Sequence, residues 1–357
     1  MQIRSLQLKN FRCFTDQEID LDAPLILISG PNGSGKTSIL EALHYACYLR
    51  SFRTHTPKEL LFFEKDSFFI KLMCHDEGND FDHEIQIGFS GAKRLVKVDK
   101  KAISSYKELN QFYRIVTLTE DDLLLIKGNP ETRRSFLDQG LILNEPDILP
   151  ALRMHKQIVL QRNALLQSAA SDMQSYDIWT EKLWQQSKEL QEKRVLLLTT
   201  LEELVNEALE GFFDESITIT CSYRPKKKLE ESYEAFKQAN PELHAQERAM
   251  GRSLFGIHLD DFLIVFKGKR SKAYASRGQQ KLAILLLKAA LLKLVEQKKG
   301  KAVFLLDDFM SDFDQQVIPI LIKYLRHLSA QLVFTSPIKT GFFEALLLEQ
   351  GAQRINL

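Results

Sequence analysis

Eight residues, Gly30-Pro31-Asn32-Gly33-Ser34-Gly35-Lys36-Thr37, place three glycines, a lysine and a threonine in one short loop. That spacing matches G-x-x-x-x-G-K-[ST], in which backbone N–H groups cradle a phosphate chain. Glycines let those N–H groups converge, and a following helix adds the positive end of its dipole. Lys36 is expected to reach the β- and γ-phosphates, and Thr37 to ligate Mg²⁺. The flanks decide against a chance glycine turn. Leu25-Ile26-Leu27-Ile28 is a continuous apolar run, as in a strand buried on both faces, and SILEALHYACYL behind the loop forms helix readily.

A second acidic pair supplies what the loop lacks. Phe304-Leu305-Leu306 leads into Asp307-Asp308. Ligands in open α/β sheets sit outside the carboxyl ends of the strands. Asp307 is therefore expected to face the metal through Thr37 or a water, and Asp308 to orient or deprotonate the attacking water. Alone, such a pair is often a turn or a helix cap; beside a phosphate loop, the metal role is preferred. A third stretch, Ser276-Arg277-Gly278-Gln279-Gln280-Lys281, holds no obvious acid, base or metal ligand, yet opens the apolar run LAILLLKAALLKLV. Ser276 suits a helix N-cap, and Gly278 permits close backbone approach to a ligand.

The elements that must position these residues can be read around them. Residues 1–100 are β-rich, with Ser67 to Val98 reading as an antiparallel meander turning at 76–80 and 90–93. From about Pro146 to Phe213 the pattern is helical. Leu183, Leu190, Leu197 and Leu204 recur every seven residues, but Ser187 and Arg194 interrupt the seam. Two antiparallel helices forming a short arm are expected rather than an extended coiled coil. Lys226-Lys227-Lys228 is expected to be a solvated turn. The last hundred residues return to α/β, with 302–306 and 331–334 as buried strands, the second ending in Thr335-Ser336.

The chain has 357 residues and a formal net charge of +1, with 44% apolar and 27% charged residues. A core of ordinary size is affordable, and any nucleic-acid surface must be a local patch. Cys13, Cys47, Cys74 and Cys221 are too far apart for a zinc knuckle or a disulfide framework, which fits a reducing cytoplasm. The apolar run 282–295 is interrupted by Lys288 and Lys293 and is too short to span a bilayer.

Taken together, phosphate loop, S-x-G-Q-Q and hydrophobic-Asp-Asp resemble the ABC-type ATPase heads. Longer blocks resemble the RecF family, related to SMC and Rad50 heads: LQLKNFRCF (6–14), YLRSFRT (48–54), EDDLLLIKGNPETRRSFLD (120–138) and FLLDDFMSDFD (304–314). The resemblance runs over nearly the whole chain. It departs at Thr119, where the family has proline, and at Gly256-Ile257-His258-Leu259-Asp260-Asp261, which lacks the proline and arginine of the family block. His258, among apolar neighbours, is expected to be a structural turn residue.

The resemblance implies an α/β fold: an ABC-type P-loop ATPase head with an antiparallel β subdomain and an inserted helical second lobe. Residues 1–115 and 250–357 would form the ATPase lobe, and 116–249 the second lobe. ATP would contact Gly30, Pro31, Asn32, Gly33, Ser34, Gly35, Lys36, Thr37, Ser38, Arg12 and Asp314. Ser276, Gly278 and Gln279 would meet the γ-phosphate held by the other subunit of a head-to-head homodimer. Thr37 and Asp307 would hold Mg²⁺. Lys36, Asp308, Glu120 and Thr335 or Ser336 would serve the chemistry, Asp308 standing where most ABC ATPases carry glutamate. Its shorter reach is consistent with slow hydrolysis. Arg50, Arg53, Arg133 and Arg134 are candidates for DNA phosphates, each weighed against a structural ion pair.

The implied function is a cytoplasmic ATP-dependent DNA switch without a membrane partner, acting at gaps or single-strand/double-strand junctions and helping RecO and RecR load RecA. A structural DNA clamp with silent ATPase chemistry carries the same motifs. A transporter ATPase subunit would lack the R-R-x-F-L-D block and the arm, and an ATPase–nuclease would need a further acidic metal domain.

Overall fold

The computed structural model describes residues 1–91, 93–103, 109, 114–168, 173–213, 216–310, 313–337 and 341–357, apart from the side chain at 299. Position 92 of the expected 90–93 turn and positions 311–312 of the second acidic block lie outside them. By its contacts the chain divides into two units. One comprises Met1–Asp122, Glu210–Asp214 and Arg277–Leu357, the other Leu123–Leu209 and Glu215–Ser276.

The first unit begins with β1 (Gln2–Phe11), β2 (Phe14–Asp20) and β3 (Leu25–Gly30). β4 (Ser67–Asp76), β5 (Phe81–Ser90), β6 (Lys93–Val98), β7 (Lys101–Ala102) and β8 (Ile115–Leu118) follow. A six-stranded sheet in the order β2-β1-β4-β5-β6-β7 contains the meander, and its pairings are antiparallel. Strand residues alternate: Ile70, Leu72, Ile85, Ile87, Val96 and Val98 point inward, and the polar residues between them point outward.

The helices Leu149–Gln167 and Met173–Phe212, in the second unit as far as Leu209, are the expected pair. Their register is antiparallel, since His155 meets Ser187 and Arg162 meets Thr180. The heptad leucines are buried, and so are the interrupting Ser187 and Arg194. Arg194 is satisfied by Asp138 at 2.6 Å and the Ile257 carbonyl at 2.7 Å. β9 (Ile219–Arg224), β10 (Asp261–Phe266) and β11 (Lys269–Arg270) form a small antiparallel sheet. The β9–β10 ladder draws residues 250–276 into this unit. The boundary expected at 250 falls instead at Arg277 by these contacts, and the second lobe carries this small sheet beside its helices.

The chain then returns to the first unit with β12 (Val303–Leu306), β13 (Gln331–Pro337) and β14 (Gln353–Asn356). Here the second sheet runs β14-β3-β13-β12-β8, with every pairing parallel. β3, β8 and β12 are buried at every position, which explains their unbroken apolar runs. Helix Lys36–Tyr48 touches strands of both sheets, and Ile39, Leu40, Leu43, Ala46 and Cys47 are buried in one core with them. Among the described residues, no helix is long and apolar enough to cross a membrane.

Candidate functional site

Strand order brings the chemical residues together. β13 lies between β3 and β12, and β12 pairs with β8. All four run parallel, so the phosphate loop after β3, Thr335 near the end of β13, Asp307 after β12 and Glu120 after β8 stand at one edge of the sheet. That edge is where open α/β sheets bind ligands.

The loop has the backbone its glycines foretell. Gly35 is the N-cap of the following helix with φ at +104°. A Cβ at this position would also fall 2.5 Å from Phe14 and 2.7 Å from the Cys13 sulfur, so glycine is required twice over. The Lys36 ammonium donates to the carbonyls of Gly30 at 2.8 Å and Pro31 at 2.9 Å. The Ser34 hydroxyl is buried without a hydrogen-bond partner. A cradle of this kind, with an ammonium resting on loop carbonyls and an orphaned hydroxyl, fits a polyphosphate at a helix N-terminus.

Beside it lies a hydroxyl–carboxylate cluster. Thr37 Oγ1 donates to Asp307 Oδ1 at 3.0 Å, and Thr335 Oγ1 donates to the same oxygen at 2.8 Å. Thr335 Oγ1 in turn accepts from the Asp308 N–H at 2.8 Å. The Ser336 hydroxyl donates to the Pro337 carbonyl at 3.2 Å. Of the two candidate hydroxyls, Thr335 is joined to both aspartates. Burial raises the Asp307 pKa, opposed by the Thr335 and Thr37 hydrogen bonds. Burial also raises that of Asp308, helped by the charges of Asp307 and Glu120. Asp308 adopts φ +45°, an uncommon conformation for a non-glycine residue. Among the described residues no group of three or more His, Cys, Asp or Glu forms a metal cage. One carboxylate and one hydroxyl suit Mg²⁺, which keeps waters and shares substrate phosphates.

Glu120 pairs with Lys281, whose ammonium also lies 4.6 Å over the Phe309 ring, and with Arg277 at 3.6 Å. One heptad further on, Lys288 pairs with Asp122 at 2.7 Å and donates to the Thr117 carbonyl at 3.0 Å. Two lysines on one helix face therefore meet two acids of one turn. Their seven-residue spacing was the available signal. His44, held against Thr117 Oγ1 at 2.8 Å, is pushed down to about 3 by burial and by Lys288.

Ser276, Arg277 and Gln279 are exposed, and helix Arg277–Lys299 starts directly after Ser276. A Cβ on Gly278 would meet nothing within 4 Å. Ser38 is buried in the first turn after the loop, and Asp314 is exposed, its carbonyl accepting from Val317 and Ile318.

The arginines divide. Arg12, which the N-F-R resemblance assigns to the nucleotide, has its guanidinium on Glu41 through two 2.7 Å bonds and on the Glu59 carbonyl through a third. Glu41, fully buried, also takes the Ser51 hydroxyl and lies 3.7 Å from Arg53. This carboxylate escaped the sequence reading; a lone acid inside SILEALHYAC was its signal. Arg53 remains half exposed, close enough to lower the Asp307 pKa. Arg50 is exposed. Arg133 is buried, donating twice to Asp261 at 2.6 and 2.9 Å and also to the Gly128 carbonyl. With its fork occupied, it cannot offer that fork to DNA phosphates, and its candidacy gives way to the ion-pair alternative. Arg134 is half buried and donates to the Asp260 carbonyl. His258 is pushed down to about 4 by burial and three nearby arginines, and its Nδ1 is buried without a partner.

A family model described as an AAA domain matches residues 5–250. A DNA replication and repair protein RecF from Synechococcus sp. (strain JA-2-3B'a(2-13)) is 33% identical over 99% of this chain and 97% of the relative. Among solved structures, the recombination mediator protein RecF-ATP of the RecFOR pathway aligns with a TM-score of 0.83 and 24% identity, covering 95% of this chain and 94% of the other. An Smc head bound to the C-winged helix domain of ScpA aligns at 0.55 and 14%, covering 100% and 94%. The shared fold is that of an ABC-type ATPase head.

Proposed function

The chain belongs to the RecF family of DNA replication and repair proteins, and from that premise we propose an ATP-controlled switch that grips DNA as a dimer. When bound, ATP supplies the γ-phosphate whose loss resets the switch, and Mg²⁺ supplies the cation that offsets phosphate charge. Lys36 turns its ammonium from the loop carbonyls to the β- and γ-phosphates. Thr37 and Asp307 would hold the metal. Thr335 orients both aspartates, through the Asp307 carboxylate and the Asp308 N–H. Asp308, its basicity raised by burial and by its acidic neighbours, takes a proton from water. Its short side chain makes hydrolysis slow.

The observation that carries the switching step is the exposed signature segment. Ser276 to Gln279 face open space at Gly278, at the start of a buried helix. A second copy brings its own phosphate loop there. ATP then favours the dimer because it binds that state better. Arg50, Arg53 and Arg134 contribute positive charge toward DNA phosphates. Within its family the chain acts at gaps or single-strand/double-strand junctions, with RecO and RecR as partners in loading RecA.

Sedimentation velocity without nucleotide, with ADP and with ATP tests the reading, for wild type and Ser276→Arg. A dimer specific to ATP is expected for wild type. The variant is expected to bind ATP and stay monomeric. A wild-type dimer indifferent to nucleotide would defeat the switch.

A further inference from the structure

The outward face of the six-stranded sheet carries a groove of about 630 Å³ that the nucleotide chemistry does not use. Its centre is one cross-strand row. Lys9 on β1 is opposite Phe69 on β4, Phe69 is opposite Gly88 on β5, and Gly88 is opposite Leu95 on β6. Lys93 and Arg94 complete one side. Leu95 is 54% exposed.

Gly88 is the informative residue. Glycine in a strand interior weakens the strand and marks a bulge, a bend or a close approach by something else. No bulge is present: pairing is continuous from Ser67↔Ser90 to Asp76↔Phe81 on one side and from Ile85↔Val98 to Ser90↔Lys93 on the other. The backbone conformation at Gly88 is not one reserved to glycine, and a Cβ there would meet nothing within 4 Å. The neighbouring Phe69 ring therefore does not fold over the glycine to cover it. What remains is an empty slot between an aromatic ring and a leucine, two strands apart, or about 10 Å. A flat ring in contact with both walls needs about 7–8 Å, twice the usual contact distance. Beneath the row, the stacked rings of Phe68 and Phe89, with centroids 5.3 Å apart, are buried and make the floor rigid.

The charged residues that line the slot are basic. Lys9, Lys93 and Arg94 line the groove, and none of its lining residues is acidic. Lys9 has an exposed ion pair with Asp16 at 3.4 Å, easily exchanged. Arg94, one residue along from Leu95 and so on the opposite face of the strand, donates to the Leu49 carbonyl at the rim. An aromatic-walled slot flanked by cations suits a chain of planar rings on a polyanionic backbone.

We infer that this sheet face is a single-stranded DNA site, in which an unstacked base enters the slot over Gly88 against Phe69 while Lys9 and Lys93 take the flanking phosphates. A duplex cannot use the slot, because its bases are stacked on one another. The inference rests on the DNA-binding reading above and deepens it by assigning the single-stranded side of a junction.

Gly88→Val places its Cβ where nothing lies within 4 Å, fills part of the slot and improves strand propensity, so the fold is retained. Fluorescence anisotropy with labelled oligothymidylate and with a duplex of equal length, at several salt concentrations, reads the result. Gly88→Val is expected to weaken oligothymidylate binding about 5- to 100-fold, the range for loss of one base stack, with duplex affinity and ATPase rate unchanged. Lys93→Glu is expected to lower both the affinity and the salt dependence for the single strand. Unchanged single-strand affinity in Gly88→Val overturns the inference, as does wild type that binds duplex alone. Loss of self-association in Gly88→Val with single-strand affinity intact would make the slot a contact between copies and also overturn it. Wild type that binds neither DNA form removes the DNA reading itself, and this inference with it.

Discussion

Glu247 in the second unit and Asp307 in the first are both buried carboxylates, but their surroundings differ in kind. Glu247 accepts two hydrogen bonds from the Arg162 guanidinium, one from the Tyr176 hydroxyl and one from the Leu254 N–H. Arg162 continues to Ser253 and Thr180 and lies over the Tyr176 and Phe255 rings. Charge and hydrogen-bonding capacity are satisfied inside the unit. Asp307 receives two hydroxyls on one oxygen and, among the described residues, no cation within ion-pair distance. A carboxylate left this way is costly in the ligand-free protein and becomes favourable when a cation arrives. The difference separates a carboxylate satisfied within its unit from one that has capacity left for a ligand.

Cutting the Glu247 pair gives the largest effect. Glu247→Ala leaves the Arg162 charge buried and unpaired, at a cost of about 3–5 kcal/mol. Trp179 and Trp184, the two tryptophans of the chain, both lie in this unit, so their fluorescence in a urea titration follows its unfolding. A loss below about 1 kcal/mol would break the contrast, since the pair would then not be holding the unit.

Asp308→Asn comes next. It removes the proposed proton acceptor and keeps the shape, so kcat is expected to fall by about a hundred-fold or more while ATP binding and ATP-dependent dimerisation persist. Steady-state phosphate release and sedimentation measure the two. Equal, negligible turnover in wild type and variant would instead favour a clamp that binds ATP without hydrolysing it.

Asp307→Asn has the smallest effect on stability and gives the comparison its sharpest test. Because burial raises the Asp307 pKa, the unfolded chain releases that proton at lower pH than the native state does. The native-state advantage is present below the ordinary carboxylate range and is lost as pH rises through the raised value. Asp307→Asn is therefore expected to be neutral or up to about 1 kcal/mol more stable near neutral pH, and to flatten the fall in melting temperature across the weakly acidic range. It should also lose the stabilisation that Mg²⁺ with ATP gives wild type. Thermal melts with and without Mg²⁺-ATP check both; a variant markedly less stable without ligand would make Asp307 structural, like Glu247.

Much of the nucleotide edge was legible before any coordinates. Gly30 to Thr37 announce their backbone through glycines at set offsets, and 25–28 and 303–306 announce fully buried strands by unbroken apolar runs. Those two signals, with the rule for parallel sheets, place Lys36 and Asp307 at one edge. Thr335 and Ser336 could not be told apart, because alternation along a strand leaves open which of its two faces meets the aspartates. Only the fold hands the Thr335 hydroxyl to Asp307 and that of Ser336 to the Pro337 carbonyl. The lobe boundary near 250 was misplaced for a similar reason: β10 belongs with β9, across an intervening stretch that contains two helices.

By itself, then, the sequence determined the local chemistry: the phosphate loop, the aspartate pair, the signature segment opening a buried helix and the leucine-seamed arm. All are set by spacing within a few turns or a single strand. The tertiary structure decided where the long side chains go. Arg133 closes on Asp261, Arg12 on Glu41, Lys281 on Glu120, and Gly88 stands bare between Phe69 and Leu95. These partners are chosen by contacts between residues far apart in the chain, where charge and reach permit several matches and only packing selects one.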